Sequence, residues 1–191
     1  MSLAQPRTQA LIGLSLAAVM AATRFHHFGD TLHLPDASWA LFFLAGFYLS
    51  PAWLLGLMAE AVAIDAAAVG LMGVSAYCLT PAYAALQLAH LGLWTGGRLS
   101  RRMNGEGSGL VALASVAAVT IIGAFLVSNG AFYWFGGRVA DTNWLQFAHT
   151  FVDYGPAFLA STLSYLAVAA LAHGLAVHLT GSRPTRLGDA T

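Results

Sequence analysis

The chain has 191 residues, of which 58% are hydrophobic and only 8% charged, with a formal net charge of zero. A soluble domain of ordinary composition carries about 25% charged residues, so the sequence reads as an integral membrane protein with the lipid bilayer as its surroundings. It has no lysine and no basic run interleaved with aromatics, which argues against a nucleic-acid partner. It also lacks a G-x-x-x-x-G-K loop, which excludes ATP hydrolysis by that route.

A membrane-crossing helix needs ~20 mostly apolar residues, fewer where neighbours shield its ends. Six stretches meet that description: 7–23, 38–49, 51–73, 81–98, 109–127 and 155–179. The first is followed by Arg24-Phe25-His26-His27 rather than by a small-residue cleavage site, and is read as a retained span. The second is short. Ser50-Pro51 closes it, because a proline at a first helical position lacks only an amide that would have no partner anyway. Were 38–73 one kinked helix, the count would be five.

The arginines decide between six and five through the positive-inside bias. With six spans, Arg7, Arg98, Arg101, Arg102, Arg183 and Arg186 share one side, and only Arg24 and Arg138 lie on the other. The expected fold is therefore an all-α membrane protein: six transmembrane helices, both termini cytoplasmic, in a single domain over residues 1–191. The polar, glycine-rich link at 100–108 would join two three-helix halves.

The opposite side gathers the unusual residues. Its first loop holds Arg24, His26, His27, Asp30, His33 and Asp36, and its second holds Cys78. A third, expected over 128–150, holds Phe132-Tyr133-Trp134-Phe135, Arg138, Asp141 and Asn143, with glycines at Gly130, Gly136 and Gly137. A loop that long and aromatic can fold over a ligand, or can serve as an interfacial aromatic belt.

Cys78 is the only cysteine, so it forms no intrachain disulfide and no multi-thiolate zinc site. It is a packing residue, a nucleophile or a single donor to a metal, and one thiolate suits a metal whose other positions are filled by a cofactor ring. Asp65 lies inside the third stretch, where an ionisable group costs at least ~2.5 kcal/mol and must face a polar cavity or a partner. Glu60 lies on a different side of that helix, with a structural hydrogen bond or ion pair expected. Tyr83 falls close to one helical turn past Cys78, beside the thiol. His26 and His27, being adjacent, point in different directions and do not form an i, i+4 chelate. In the first stretch Ala17, Ala18, Ala21 and Ala22 make two small-xxx-small pairs that let another helix approach closely.

Six short spans, an alanine-pair helix and ligand-type residues in the outward loops resemble the substrate-binding S-components of energy-coupling factor (ECF) transporters. Within that group, Tyr77-Cys78-Leu79-Thr80-Pro81-Ala82-Tyr83, Asp65 and the histidines after the first span are similar to the BtuM family of small vitamin B12 transporters. The resemblance implies uptake of cobalamin across the bacterial inner membrane, with Cys78 as the axial ligand of cobalt. The base is displaced and the cyanide of cyanocobalamin removed. It further implies Asp65, Tyr83 and His26 or His27 as cavity residues, to which Tyr133 of the aromatic loop is added as a candidate; family members occur without an adjacent energising module, so the alanine pairs are either ancestral or a dock for an unlinked ECF coupling subunit with its ATPases. The rival readings are an S-component-like carrier of another vitamin, a transition-metal permease using His26, His27, His33 and Cys78, and a thiol-dependent membrane enzyme.

Overall fold

In a computed structural model that describes residues 5–24, 35–107 and 109–180, the chain forms six α-helices. They are α1 (Pro6–Arg24), α2 (Ser38–Tyr48), α3 (Pro51–Met72), α4 (Tyr83–Gly105), α5 (Leu110–Phe135) and α6 (Trp144–Thr180), with a short 3-10 turn at Ala76–Cys78. No strand occurs among the described residues.

The Ser50-Pro51 break forms as the sequence dictates. Leu49 and Ser50 are extended, at φ −106°, ψ 165° and φ −76°, ψ 160°, and Pro51 opens α3 at a position where its missing amide costs nothing. The Gln9 side chain accepts a hydrogen bond from the Ser50 amide at 3.1 Å, which ties the start of α1 to this corner. At its far end α3 stops at Gly73, whose φ of +70° is left-handed backbone that a side chain would strain.

The expectation of six membrane-spanning helices with both termini cytoplasmic is corrected by the helices themselves. Among the described residues six are present, but only α3, α5 and α6 are both long and apolar enough to cross a membrane. α2 has 11 residues, roughly 16 Å, against a hydrocarbon core ~30 Å thick. Its apolarity has another cause: Ala40, Phe42 and Ala45 are fully buried against protein. α1 and α4 miss for a second reason, since Arg7, Gln9 and Arg24 interrupt the first, and Gln87, His90, Arg98, Arg101 and Arg102 the second. A count of apolar residues does not distinguish burial in protein from burial in lipid.

α4 is the central helix, packed along α2 on one side and α5 on the other. It approaches α2 through glycine: a Cβ on Gly46 would overlap the Trp94 carbonyl, and one on Gly97 the Phe43 carbonyl. Its residues Tyr83, Gln87, His90 and Trp94 recur every three or four positions on one face, with Arg98 at the border between that face and the outer one. That face turns inward, with His90 fully buried and stacked on Phe42 at 4.0 Å, while Leu88, Leu91 and Leu99 are exposed on the other. Leu57, Leu93, Ile121 and Phe125 complete the core.

Two further boundaries differ from expectation. The link at 100–108 is mostly helix, because α4 continues through Arg101 and Arg102 to Gly105. The long outer loop at 128–150 shrinks to residues 136–143: α5 runs on to Phe135, and α6 begins at Trp144, where the Asn143 side chain accepts the Gln146 amide at 2.9 Å. α6 then continues through Pro156.

Candidate functional site

At the end of the bundle where α1 finishes and α4 begins, a cavity of about 470 Å³ opens to the outside. That lies within the roughly 300–1,000 Å³ of small-molecule sites. Its walls come from most of the bundle: Arg24 of α1, Trp39 of α2, Asp65 and Val69 of α3, Cys78 and Leu79 of the turn, Tyr83 and Leu86 of α4, Phe132 of α5, and Phe158 of α6. Most of the lining is apolar, and its charged groups converge on one cluster.

That cluster is built on Asp65. Arg24 grips both carboxylate oxygens, donating from Nε and Nη2 at 2.7 Å each, and its Nη1 donates to Ser38 Oγ at 3.0 Å. Tyr83 Oη donates to Asp65 Oδ2 at 2.5 Å. Asp36 lies 3.5 Å from Arg24 Nη1, accepts from Ser38 Oγ at 2.5 Å, and receives the Ser38 amide at 2.8 Å, which fixes the start of α2. The Arg24 and Asp65 side chains are only 6% and 7% exposed, so the pair is screened little by water. The two-pronged guanidinium–carboxylate geometry gives direction as well as strength. Two carboxylates against one guanidinium leave a net negative charge on the described part of the cluster.

Cys78 sits in the 3-10 turn between α3 and α4, exposed on the cavity wall. The turn is clasped from across the mouth: Arg138 Nε donates to the Tyr77 carbonyl at 3.2 Å and its guanidinium lies over the Tyr77 ring at 4.9 Å, while that ring packs 5.7 Å from Phe132. Partial burial pushes the Cys78 thiol above its ordinary range, the negative charge of Asp65 adds to this, and the Arg138 cation opposes it.

Of the candidate residues read from the sequence, Cys78, Asp65 and Tyr83 come together on one cavity. Tyr133 does not line it. It is 4% exposed, packed 5.4 Å from Phe147, donates to the Asn143 carbonyl or to Gln146, and accepts the Asn143 amide at 3.0 Å. Its neighbour Phe132 takes the place at the wall because α5 stays helical there and turns successive residues to different sides. His26 and His27, like Asp30 and His33, lie outside the described residues.

The sequence places Arg24 among the outer residues without pairing it with Asp65, although a carboxylate at membrane depth calls for a cation and few are available on that side. The contributions of Trp39 and Phe158, whose rings lie 4.8 Å apart, carried no sequence signal. Among the described residues no group of three or more His, Cys, Asp or Glu side chains is placed to hold a metal ion.

Fold and site together define an all-α, multi-pass membrane protein with a small-molecule-sized cavity at one end of its bundle, an arrangement consistent with membrane transport. The sequence matches no protein-family model and no curated protein.

Proposed function

We propose that the protein carries cobalamin across the bacterial inner membrane, binding it through a bond from Cys78 sulfur to cobalt. The observation that carries this reading is that the chain's sole thiol opens onto the same cavity as the Arg24–Asp65–Tyr83 cluster. Four corrin nitrogens already surround cobalt, so one axial donor from the protein suffices. Apolar walls such as Trp39, Leu86, Phe132 and Phe158 suit the ring, while Asp65, Ser161 and Asn129 suit its amide side chains. The cavity holds part of so large a ligand, and its open mouth leaves room for the remainder.

Loss of cyanide then follows as a ligand exchange. The Cys78 thiol gives up its proton, its sulfur lone pair forms the Co–S bond in place of the base on the lower face, and the Co–CN bond on the upper face breaks with its electron pair on cyanide. Cyanide takes a proton and leaves as hydrogen cyanide, with cobalt unchanged in oxidation state. Because the surroundings hold the thiol neutral, metal binding must drive its deprotonation. For an ECF coupling subunit as partner, Ala18, Ala21 and Ala22 are exposed on α1 and leave that face open to a close helix contact.

The test is the absorption spectrum of purified protein with cyanocobalamin, for wild type, Cys78→Ala and Cys78→Ser. A thiolate–cobalt spectrum and free cyanide are expected from the wild type only. Identical spectra from all three remove Cys78 from the chemistry, and absence of corrinoid binding in the wild type leaves a carrier of another small organic molecule.

A further inference from the structure

The charges of the described residues separate along the bundle. The cavity end carries Arg24 and Arg138 against Asp36, Asp65, Asp141 and Asp153. The opposite end is assembled by two contacts, the Ser50 amide to Gln9 and Arg98 Nη1 to the Leu49 carbonyl at 3.2 Å. There Arg7, Arg98, Arg101 and Arg102 gather with Glu106, while Glu60, near the middle of α3, is the remaining acid among the described residues.

Leading to that end, the outer face of α4 has a definite layout. At about 100° per residue, Ala84, Leu88, Leu91, Thr95, Arg98, Leu99 and Arg102 fall within an arc of about 100°. Leu88, Leu91 and Leu99 are 61%, 41% and 49% exposed, so the strip is bare apolar surface that ends in cations. From Leu88 to Leu99 it runs roughly 16 Å, about one leaflet of a core ~30 Å thick. Arg98 and Arg102 stand one helical turn apart at its end. Among the described residues, neither has a carboxylate within 4 Å. Arg98 is braced over the Trp94 ring at 5.0 Å and spends one nitrogen on the Leu49 carbonyl, which leaves the rest of its fork for an acceptor.

We infer that this strip is a binding site for one anionic phospholipid, its phosphate held between Arg98 and Arg102 and an acyl chain laid along Leu99, Leu91 and Leu88. Charge complementarity selects the headgroup, since arginine forks match phosphate oxygens at two points. The apolar strip selects a lipid over a soluble anion. The site is separate from the cavity and does not depend on what the cavity binds. It also orients the molecule, with the arginine end in the leaflet richer in anionic lipid.

The experiment is native mass spectrometry of delipidated protein titrated with phosphatidylglycerol or with phosphatidylcholine, for wild type, Arg98→Gln/Arg102→Gln and Arg98→Lys/Arg102→Lys. The wild type is expected to retain phosphatidylglycerol in preference to phosphatidylcholine. The double glutamine variant should lose about 30-fold in that affinity, the loss expected for two arginines at a membrane surface, and the lysine variant, which keeps the charge without the fork, should fall between it and the wild type. Millimolar inorganic phosphate should not displace the lipid. Should the double variant fail to fold, as judged by Cys78 labelling unlike the wild type's, Arg102→Gln alone carries the test with about a fivefold loss. Equal retention of the two lipids, glutamine variants that bind phosphatidylglycerol like the wild type, or displacement by free phosphate would each overturn the inference.

Discussion

Replacing Asp65 by asparagine keeps the shape of the side chain and an acceptor for Tyr83, and removes the charge that Arg24 grips with two 2.7 Å hydrogen bonds. The pair is nearly excluded from solvent, so the guanidinium cannot turn to water. Losing one partner of a buried ion pair costs about 3–5 kcal/mol. Asp36, at 3.5 Å and 22% exposed, still offsets part of the charge, which places the expectation near the lower bound, about 3 kcal/mol. For a chain of this size that is a fall of about 6–12 °C in thermal midpoint. The assay is a thermal melt in detergent, read by tryptophan fluorescence, of Asp65→Asn, Arg24→Gln and the double variant. Because the double variant removes both buried charges and leaves only the more exposed Asp36 without its cation, it should be more stable than the sum of the single changes predicts, by about 2 kcal/mol or more. Effects that add to within about 0.5 kcal/mol would mean that the two side chains do not act as a pair, and the account of the cavity cluster would fail.

Two further outcomes follow from the packing and the clasp. Gly97→Ala drives a methyl group into the Phe43 carbonyl and must part α2 from α4, so a loss of at least about 1–3 kcal/mol is expected in the same melt, whereas Gly92→Ala, with open space around it, should change little. Removing the Arg138 cation leaves burial and Asp65 unopposed in holding the Cys78 thiol neutral. Since only the thiolate reacts, Arg138→Gln should alkylate more slowly with iodoacetamide at pH 8 than the wild type. The wild-type rate should itself go on rising past the pH at which a free cysteine levels off, and a variant labelled at an unchanged rate would show that the guanidinium does not act on the sulfur.

Much of the layout was legible from residue order alone. Composition identifies a membrane protein, Pro51 and Gly73 bound α3, and the scarcity of charge singles out Asp65, since an intramembrane carboxylate has to have a reason. Cys78 and Tyr83 were placed beside each other from their spacing across a helix start, and they share the cavity. These are local facts, fixed by backbone chemistry and by the cost of a charge in hydrocarbon. What only the folded chain decides is which surface each apolar residue meets. α2 is as apolar as a membrane span but too short to be one and wrapped in protein, and α4 hides its polar face against α2 while offering leucines outward. The partner of Asp65 lies 41 residues away on α1, and Tyr133 is turned from the cavity by the helical phase of α5 that brings Phe132 to it. Pairings of that kind depend on distances between helices, and hydrophobicity along one helix sets its tendency to be buried without naming the neighbour that buries it.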